Sequence, residues 1–163
     1  MNNCFALAPW ADVLHAGDAR WWLAHPEAER ACAERWTLDP MLGTQPGMSH
    51  IEGIDEPGIS EHPTRVHTGG NSGYSAIGLA ALWGADRVTL LGYDMGTTGG
   101  RLHWHPDHDE KTLGNPVDFQ TWRDRLAGAA ADLRRLGVHV VNASRETALA
   151  CFERMPLERA LAA

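Results

Sequence analysis

The chain has 163 residues, the usual length of one domain, and 44% of them are hydrophobic, which is enough for a sizeable core. Charged residues make up 21%, and no apolar stretch of about 18 residues occurs, so the composition fits neither a disordered chain nor a membrane-spanning one. The formal net charge is −7, and residues 1–62 carry ten of the 21 acidic residues but three of the 14 basic ones. We therefore predict a single domain over residues 1–163 that does not bind membranes. We also expect no binding to duplex nucleic acid, because such binding requires a basic stripe on the protein.

The three cysteines, Cys4, Cys32 and Cys151, are an odd number at wide spacing. Such spacing is typical of neither a disulfide framework nor a paired-cysteine metal site. The first five residues contain no basic start and no apolar signal core, so the pattern does not indicate secretion. We therefore expect reduced thiols and a cytoplasmic location.

The first half of the chain predicts a strand, a helix and a long loop region. Residues 12–18 are a short apolar run that ends in Gly and Asp, which predicts the strand. Residues 19–35 are rich in Ala, Glu, Arg and Trp and predict the helix. Pro and Gly interrupt residues 39–70, which we predict to be loops with one strand near residues 48–54.

A clearer alternation begins in the middle of the chain. A polar, glycine-rich turn at residues 68–73 precedes an apolar helix over residues 74–83, which Gly84 closes. Residues 87–94 follow as a nearly continuous apolar strand, of the kind that is buried on both faces of a parallel sheet. We therefore expect this strand to be central.

A second long helix is predicted to open at Asn115 and Pro116, with Asp118 in its first turn and Gly137 at its end. Its amphipathic face consists of residues at helical spacing, namely Trp122, Leu126, Ala129, Leu133 and Leu136.

The last predicted elements are a strand over residues 138–142 and a helix that Ser144 caps and that continues to residue 152. Strands and helices thus alternate, with short connections. This alternation predicts an α/β fold with a mainly parallel sheet, whose carboxyl edge is the expected place for a site.

The turn at residues 68–73 is the first candidate site. Unpaired backbone N–H groups at a helix N-terminus can hold phosphate or carboxylate, so Gly70, Asn71, Ser72 and Gly73 are ligand-binding candidates. The alternative is a turn and helix cap without a ligand. The turn matches neither a Walker loop nor a dinucleotide fingerprint, so it supports neither ATPase nor nicotinamide chemistry.

Two aspartates and two asparagines are expected near the same edge. Asp94 leaves the central strand where α/β folds bind ligands, which makes it a catalytic candidate, although it can also form a turn. Asp18 ends the first strand on that edge, so we expect both carboxylates to line one crevice. Asn2 and Asn3 frame the first strand unit and either bind ligand or belong to a frayed terminus.

The strongest chemical signal is the connection over residues 95–114, which is long for an α/β unit. Its side chains can act as a general base, contact substrate, or ligate a metal together with a neighbouring aspartate. A solvated polar loop is the remaining interpretation. The candidate residues are His103, Trp104, His105 and His108. The tryptophan among them can stack on a base or a sugar, or pin the loop to the domain.

Three blocks of the sequence carry a family resemblance. They are the opening at residues 8–22, the block at residues 71–94 that runs from Asn-Ser-Gly to Gly-Tyr-Asp, and the His-Trp-His loop. Together they resemble phage and prophage proteins of the sialyltransferase-like superfamily, which includes glycosyltransferase family 42. The resemblance implies a Rossmann-like three-layer sandwich in the cytoplasm of a bacterial host. Because the family's chains begin with a strand and a phosphate turn that this sequence lacks, we expect a fold truncated at its N-terminus.

The resemblance also implies contacts to a nucleotide donor. In the sialyltransferases a Ser-Gly turn contacts the cytidine-monophosphate donor, which implies donor contacts from Asn71, Ser72 and Gly73. An asparagine of the family also binds the donor, and Asn2 or Asn3 matches it.

The family's general base is a histidine in the loop after the Gly-x-Asp strand. This implies a base among His103, His105 and His108, with no metal or other cofactor required. Paired tyrosines hold the donor phosphates in the family. This chain has only Tyr74 and Tyr93, and of these Tyr93 is the ligand-binding candidate.

We predict a nucleotide- or nucleotide-sugar-binding domain that acts as a glycosyl or other group transferase. In it, a loop histidine deprotonates the acceptor and the turn at residues 68–73 holds the departing phosphate. Two alternatives stay open: a non-catalytic nucleotide-binding or interaction protein, and a metal-dependent phosphoester hydrolase built on His103, His105 and an aspartate. The sheet edge that the absent first strand leaves open can pair with a second copy, which would give a homodimer.

Overall fold

A computed structural model describes residues 2–102, 105–106 and 117–162. The strands in these residues are β1 (Val13–His15), β2 (Glu34–Thr37), β3 (Ser49–His50), β4 (Glu52–Ile54), β5 (Arg65–His67), β6 (Arg87–Leu90), β7 (His139–Asn142) and β8 (Glu153–Arg154). The α-helices are α1 (Ala19–Ala24), α2 (Ser72–Leu82), α3 (Phe119–Arg135) and α4 (Leu157–Ala162). Short 3-10 helices cover Asn2–Ala6, Pro26–Arg30 and Leu42–Thr44.

All pairings between these strands are parallel. The strands form three groups, in the orders β1-β2-β3, β4-β5 and β6-β7-β8. Parallel neighbours require crossover connections. Helix α1 lies in the connection between the neighbours β1 and β2, and α3 lies in the connection between the neighbours β6 and β7. Helix α2 connects β5 to β6, which belong to different strand groups. The predicted mixed α/β fold with mainly parallel sheet is thereby confirmed.

The strand predicted near residues 48–54 changes partner halfway along. His50 in β3 pairs with Thr37 of β2, and Glu52 in β4 pairs with Arg65 of β5. Between them, Ile51 is 4% exposed, and its backbone N–H donates to the carbonyl of Thr37 at 3.1 Å. One continuous segment therefore joins the first two strand groups.

Both long helices end at the predicted glycines, but α3 begins later than predicted, because Asp118 is the N-cap of the helix and not part of its first turn. Asn71 caps the N-terminus of α2, and Gly84, with a φ of +83°, follows its C-terminus. Asp118 caps α3, and Gly137, with a φ of +78°, follows it. Both glycines adopt the left-handed conformation in which other residues are strained, so each stops its helix. Asn115 and Pro116, the predicted start of α3, lie outside the described residues.

The predicted helix over residues 19–35 is wrong beyond its first six residues. Helix α1 ends at Ala24, before Pro26, because proline disfavours helical backbone in the residue that precedes it. The chain continues as a 3-10 helix and then as β2, which sequence periodicity did not indicate.

The predicted helix from Ser144 to residue 152 is also wrong. The Ser144 hydroxyl accepts a hydrogen bond from the backbone N–H of Tyr93 at 2.8 Å, so it caps no helix. Residues 145–152 form a loop instead, after which β8 pairs with β7 and α4 follows.

One core lies between the long helices and the third strand group. Its buried residues from α2 and α3 are Tyr74, Ile77, Leu126, Ala129, Ala130 and Leu133, and those from the strand group are Leu90 and Val140, with Val138 just before β7. A second cluster packs α1 against β1 through Trp21, Trp22 and Leu14. No helix within the described residues combines the length and the apolar character that crossing a membrane requires.

Candidate functional site

A cleft of about 390 Å³ lies where β6 ends, beside the N-terminus of α2. We call it the α2 cleft. It brings together most of the predicted site residues that the structure describes, namely Asn3, Asn71, Ser72, Gly73, Tyr93, Asp94 and His105. These residues come from four separate segments of the chain, and the turn after β6 and the first turn of α2 position most of them.

The first turn of α2 supplies hydrogen-bond donors to the cleft. The side-chain oxygen of Asn71 accepts from the backbone N–H of Tyr74 at 3.0 Å. The backbone N–H groups of Ser72 and Gly73 have no hydrogen-bond partner among the described residues. Unpaired amides of a first helical turn carry partial positive charge and can bind an anion.

Tyr93 holds the end of β6 against the first turn of α2. Its hydroxyl donates to the carbonyl of Gly73 at 3.0 Å, and its ring is buried. Burial raises the pKa of the phenol, and the nearby Cys4 acts in the same direction. The phenol is thus neutral at physiological pH and bonded within the protein, so Tyr93 positions α2 as well as lining the cleft.

Asp94 and Thr98 form one wall of the cleft, which we call the Asp94–Thr98 ridge. The Thr98 hydroxyl donates to the Asp94 carboxylate at 2.8 Å. Between them, Met95 has a φ of +49°, and its carbonyl accepts from Arg123 at 2.8 Å. A left-handed conformation costs a residue other than glycine about 1–2 kcal/mol. Such strain is concentrated at functional sites, which agrees with a site at the end of β6.

His105 lines the cleft and is partly buried. Its Nδ1 lies 2.7 Å from the carbonyl oxygen of Pro106. Because a carbonyl oxygen only accepts hydrogen bonds, Nδ1 of His105 is the donor in this contact. The other loop candidates, His103, Trp104 and His108, lie outside the described residues.

Asn3 lines the cleft, and hydrogen bonds hold its side chain in place. Its side-chain oxygen accepts from the indole N–H of Trp21 at 2.8 Å, and its amide nitrogen lies 3.4 Å from Nε2 of His25. The 3-10 helix Asn2–Ala6 contains it. The interpretation of Asn3 as part of a frayed terminus is therefore wrong.

Asp18 and Gly70 do not line the α2 cleft. Asp18 caps α1 and forms an ion pair with Arg20 at 2.8 Å. Partial burial acts to raise the pKa of Asp18, but the hydrogen bonds and charge of Arg20 outweigh it and lower the pKa. The expectation that Asp18 and Asp94 share one crevice is wrong, because the Asp18 carboxylate is occupied by its own helix. Gly70 is exposed, with a φ of +76°.

Arg101 lines the cleft and was missed by the sequence analysis. It closes a tight turn in which its backbone and that of Thr98 exchange two hydrogen bonds of 3.1 Å, across Gly99 and Gly100. Both glycines have positive φ, as a two-residue hairpin turn requires. The guanidinium of Arg101 has no partner in the part of the chain that the structure describes. The Gly-Gly pair was the signal that could have located this turn.

Two aromatic residues of α3 also line the cleft. Phe119 and Trp122 pack edge to face, with ring centroids 5.8 Å apart. The indole Nε1 of Trp122 lies 3.3 Å from the point where a side chain on Gly70 would begin. The helical spacing of Trp122 predicts packing against the sheet and gives no sign of the cleft.

Behind the first turn of α2, His15 is 4% exposed. Its Nδ1 donates to the carbonyl of Trp36 at 3.1 Å, and its Nε2 accepts from the hydroxyl of Ser75 at 2.8 Å. Burial lowers its pKa from 6.5 to about 4, and the bond to Trp36 opposes this only in part. A neutral His15 thus joins β1 to the helix that carries the candidate site.

Among the described residues, no group of three or more His, Cys, Asp or Glu side chains is placed to hold a metal ion. Comparisons with protein-family models, with curated proteins and with solved structures found no match. The chemistry of the α2 cleft therefore carries the functional argument.

Proposed function

We propose that the chain binds a nucleotide or nucleotide-sugar in the α2 cleft. The observation that carries the proposal is one cavity lined by the backbone amides of Ser72 and Gly73 and by Arg101, whose N–H groups have no partner among the residues that the structure describes. Guanidinium groups and helix N-termini are the donors that recur at phosphate sites. The phosphate binds these groups in our proposal.

The aromatic residues of α3 support a base or sugar beside that phosphate. Trp122 and Phe119 both line the cleft and pack edge to face with each other. Stacking on an aromatic face contributes about 1–3 kcal/mol per base. Phosphate, amide and aromatic contacts together match a nucleotide better than an inorganic anion.

The catalytic part of the proposal is group transfer to a hydroxyl. His105 accepts the proton of the acceptor hydroxyl, whose oxygen then bonds to the transferred carbon of the donor. The bond between that carbon and the phosphate oxygen breaks, and its electron pair leaves with the nucleotide. The α2 amides and Arg101 stabilise the charge on the departing phosphate. No step needs a metal or redox cofactor. His103 and His108 remain alternative bases.

Further parts of the proposal concern the fold and the setting. The three parallel strand groups and the core shared by α2 and α3 support a Rossmann-like three-layer arrangement. We place the protein among phage-type proteins of the bacterial cytoplasm. Among the described strands, β1 pairs only with β2, so its other edge is open. This open edge supports a homodimer.

Calorimetry with nucleoside monophosphates and nucleotide sugars tests the binding. Arg101→Gln should weaken binding about ten-fold, because one charge-assisted phosphate contact is lost. Arg30→Gln, at an exposed arginine of the Pro26–Arg30 helix, should leave affinity unchanged. Absence of binding across the panel would eliminate the proposal.

The same panel separates an enzyme from a binding module. His105→Ala should retain nucleotide affinity within about two-fold and lose transfer to an acceptor hydroxyl. A wild-type protein that binds a nucleotide sugar but transfers to none of a set of hydroxyl acceptors would favour the non-catalytic alternative.

A further inference from the structure

A groove of about 280 Å³ lies at the other end of α2 from the α2 cleft. We call it the tryptophan groove. Helix α2 has 11 residues, so its two ends are about 16 Å apart. A volume of this size is just below the range of drug-sized sites, about 300–1000 Å³, so the groove suits a small molecule. Its apolar lining residues are Trp36, Ile51, Pro63, Leu82 and Trp83, and its polar ones are His50 and Thr64.

Two indole rings meet in this groove. The ring centroids of Trp36 and Trp83 are 5.2 Å apart, and the ring planes are inclined at 60°. Trp36 packs against a core cluster that contains Ile51 and Leu79. Trp83 is 48% exposed. A molecule in the groove therefore meets one ring that the core holds in place and a second ring that solvent reaches.

The charge beside the rings is negative. The indole N–H of Trp36 donates to the Glu34 carboxylate, with 3.3 Å between Nε1 and Oε2. Glu34 is exposed and forms no ion pair within the described part of the chain. No arginine or lysine of the described residues lines the groove. Arg35 and Arg65, which neighbour lining residues in the chain, bond instead to a backbone carbonyl and to Glu52.

This combination of rings and charge selects among ligand classes. The faces of aromatic rings attract cations, and tryptophan does so most strongly. An anion would meet Glu34, and a neutral apolar molecule would leave that carboxylate without a counter-charge. A guanidinium or primary ammonium would bring N–H donors, for which the apolar lining offers few acceptors. A quaternary ammonium group carries a positive charge and only methyl or methylene groups on its surface, so it fits both features.

We propose that the tryptophan groove binds a small quaternary ammonium cation that is free in solution. The cation lies against the rings of Trp36 and Trp83, and Glu34 supplies the counter-charge. Exposed charged residues neighbour the lining residues in the chain, which suits a ligand taken from water rather than from a bilayer. Because the groove shares no lining residue with the α2 cleft, this proposal is independent of the proposed function.

Nuclear magnetic resonance of the indole N–H groups of the full chain tests this site, with choline as the probe. Millimolar choline at constant ionic strength should shift the indole signals of Trp36 and Trp83. The carbon analogue of choline, in which a neutral carbon replaces the nitrogen, should bind about ten-fold more weakly, because it lacks the charge. Equal affinity for the two molecules would overturn the proposal, since the groove would then select by shape alone.

Two substitutions in the groove extend the test. Trp83→Leu keeps an apolar side chain and removes the ring, so it should weaken choline binding about ten-fold. Glu34→Gln should weaken it about three-fold, and it provides a separate test where Trp83→Leu does not fold. The matched controls are Trp10→Leu and Glu29→Gln, at exposed residues that do not line the groove, and they should leave the affinity unchanged.

Three further results would contradict this inference. The first is the absence of indole shifts with choline, and the second is unchanged choline affinity in both groove variants. The third is binding to phosphatidylcholine vesicles by a protein that does not bind choline, which would make the groove a membrane contact instead.

Discussion

His15 links β1 to α2 as a neutral ring that is almost fully buried, with hydrogen bonds to a backbone carbonyl and to Ser75. Burial in low dielectric disfavours the imidazolium and lowers the pKa of His15 to about 4 in the folded protein. The unfolded chain binds its proton at the ordinary pKa of 6.5. Between these two values the unfolded state binds more protons than the native state, so stability falls as the pH falls.

The free energy of unfolding should therefore decrease by about 2 kcal/mol through His15 as the pH falls from 8 to 5. Urea unfolding of His15→Gln at both pH values provides the comparison. The variant is expected to be less stable at pH 8, because it loses buried packing, and to show a pH dependence smaller by about this amount.

His50→Gln is the matched control, since His50 is exposed. It should keep the full pH dependence of the wild-type protein. An unchanged pH dependence in His15→Gln would contradict the assignment of this effect to His15.

At the scale of one element, α2 owes its position to the turn that precedes it. Gly69 is buried and has a φ of +55°, and a side-chain carbon there would overlap the ring of Tyr74. That ring is fixed in turn, because its hydroxyl donates to the carbonyl of Gly58 at 2.7 Å. The amides that face the cleft thus depend on the absence of a side chain at residue 69.

Gly69→Ala should lower the free energy of unfolding by at least about 3 kcal/mol, from left-handed strain and steric overlap together. Gly84→Ala is the control. Gly84 has a φ of +83° and no atom within 4 Å of the added carbon, so this variant should lose only about 1–2 kcal/mol. Equal losses in the two variants, measured by urea unfolding, would contradict the packing argument.

The elements that the sequence analysis located are those with local signals. Helix α2 has a polar cap at Asn71 and a glycine stop at Gly84, and β6 is an apolar run. Strands β2 and β5 were missed because their charged residues interrupt the alternation of apolar and polar side chains that indicates a strand. These two strands form because they pair with β1 and β4. A short window of sequence does not predict pairing between strands that lie far apart in the chain.

The candidate site was predictable to the extent that topology dictates it. Asn71 follows the carboxyl end of β5, and Asp94 and His105 follow that of β6, which is where α/β folds bind ligands, and the three residues meet in the α2 cleft. Arg101 and Trp122 could not be found in this way, because solvated arginines and core tryptophans at the same spacing are common.

At the scale of the whole molecule, the net charge of −7 repels an anionic ligand at long range. Binding of a nucleotide then depends on the local donors of the α2 cleft. Because these donors are arranged only in the folded chain, the ligand binds the native state and shifts the unfolding equilibrium towards it.

The nucleoside monophosphate that binds best in calorimetry, at about 100 times its Kd, should stabilise the protein by about 2.7 kcal/mol. For a chain of this length that corresponds to a rise in Tm of about 5–10 °C. The matching nucleoside without phosphate should raise the Tm by much less. An equal rise with the nucleoside, in a thermal melt followed by circular dichroism, would contradict a phosphate site at α2.

At Ile51 the chain passes from the first strand group to the second, which couples the unfolding of these two groups. Because a single backbone stretch is hydrogen-bonded to one sheet group at His50 and to the other at Glu52, neither group can detach without pulling on the other. The tryptophans around α1 and the amides of β5 should therefore report the same cooperative transition, because the first two strand groups unfold as one unit.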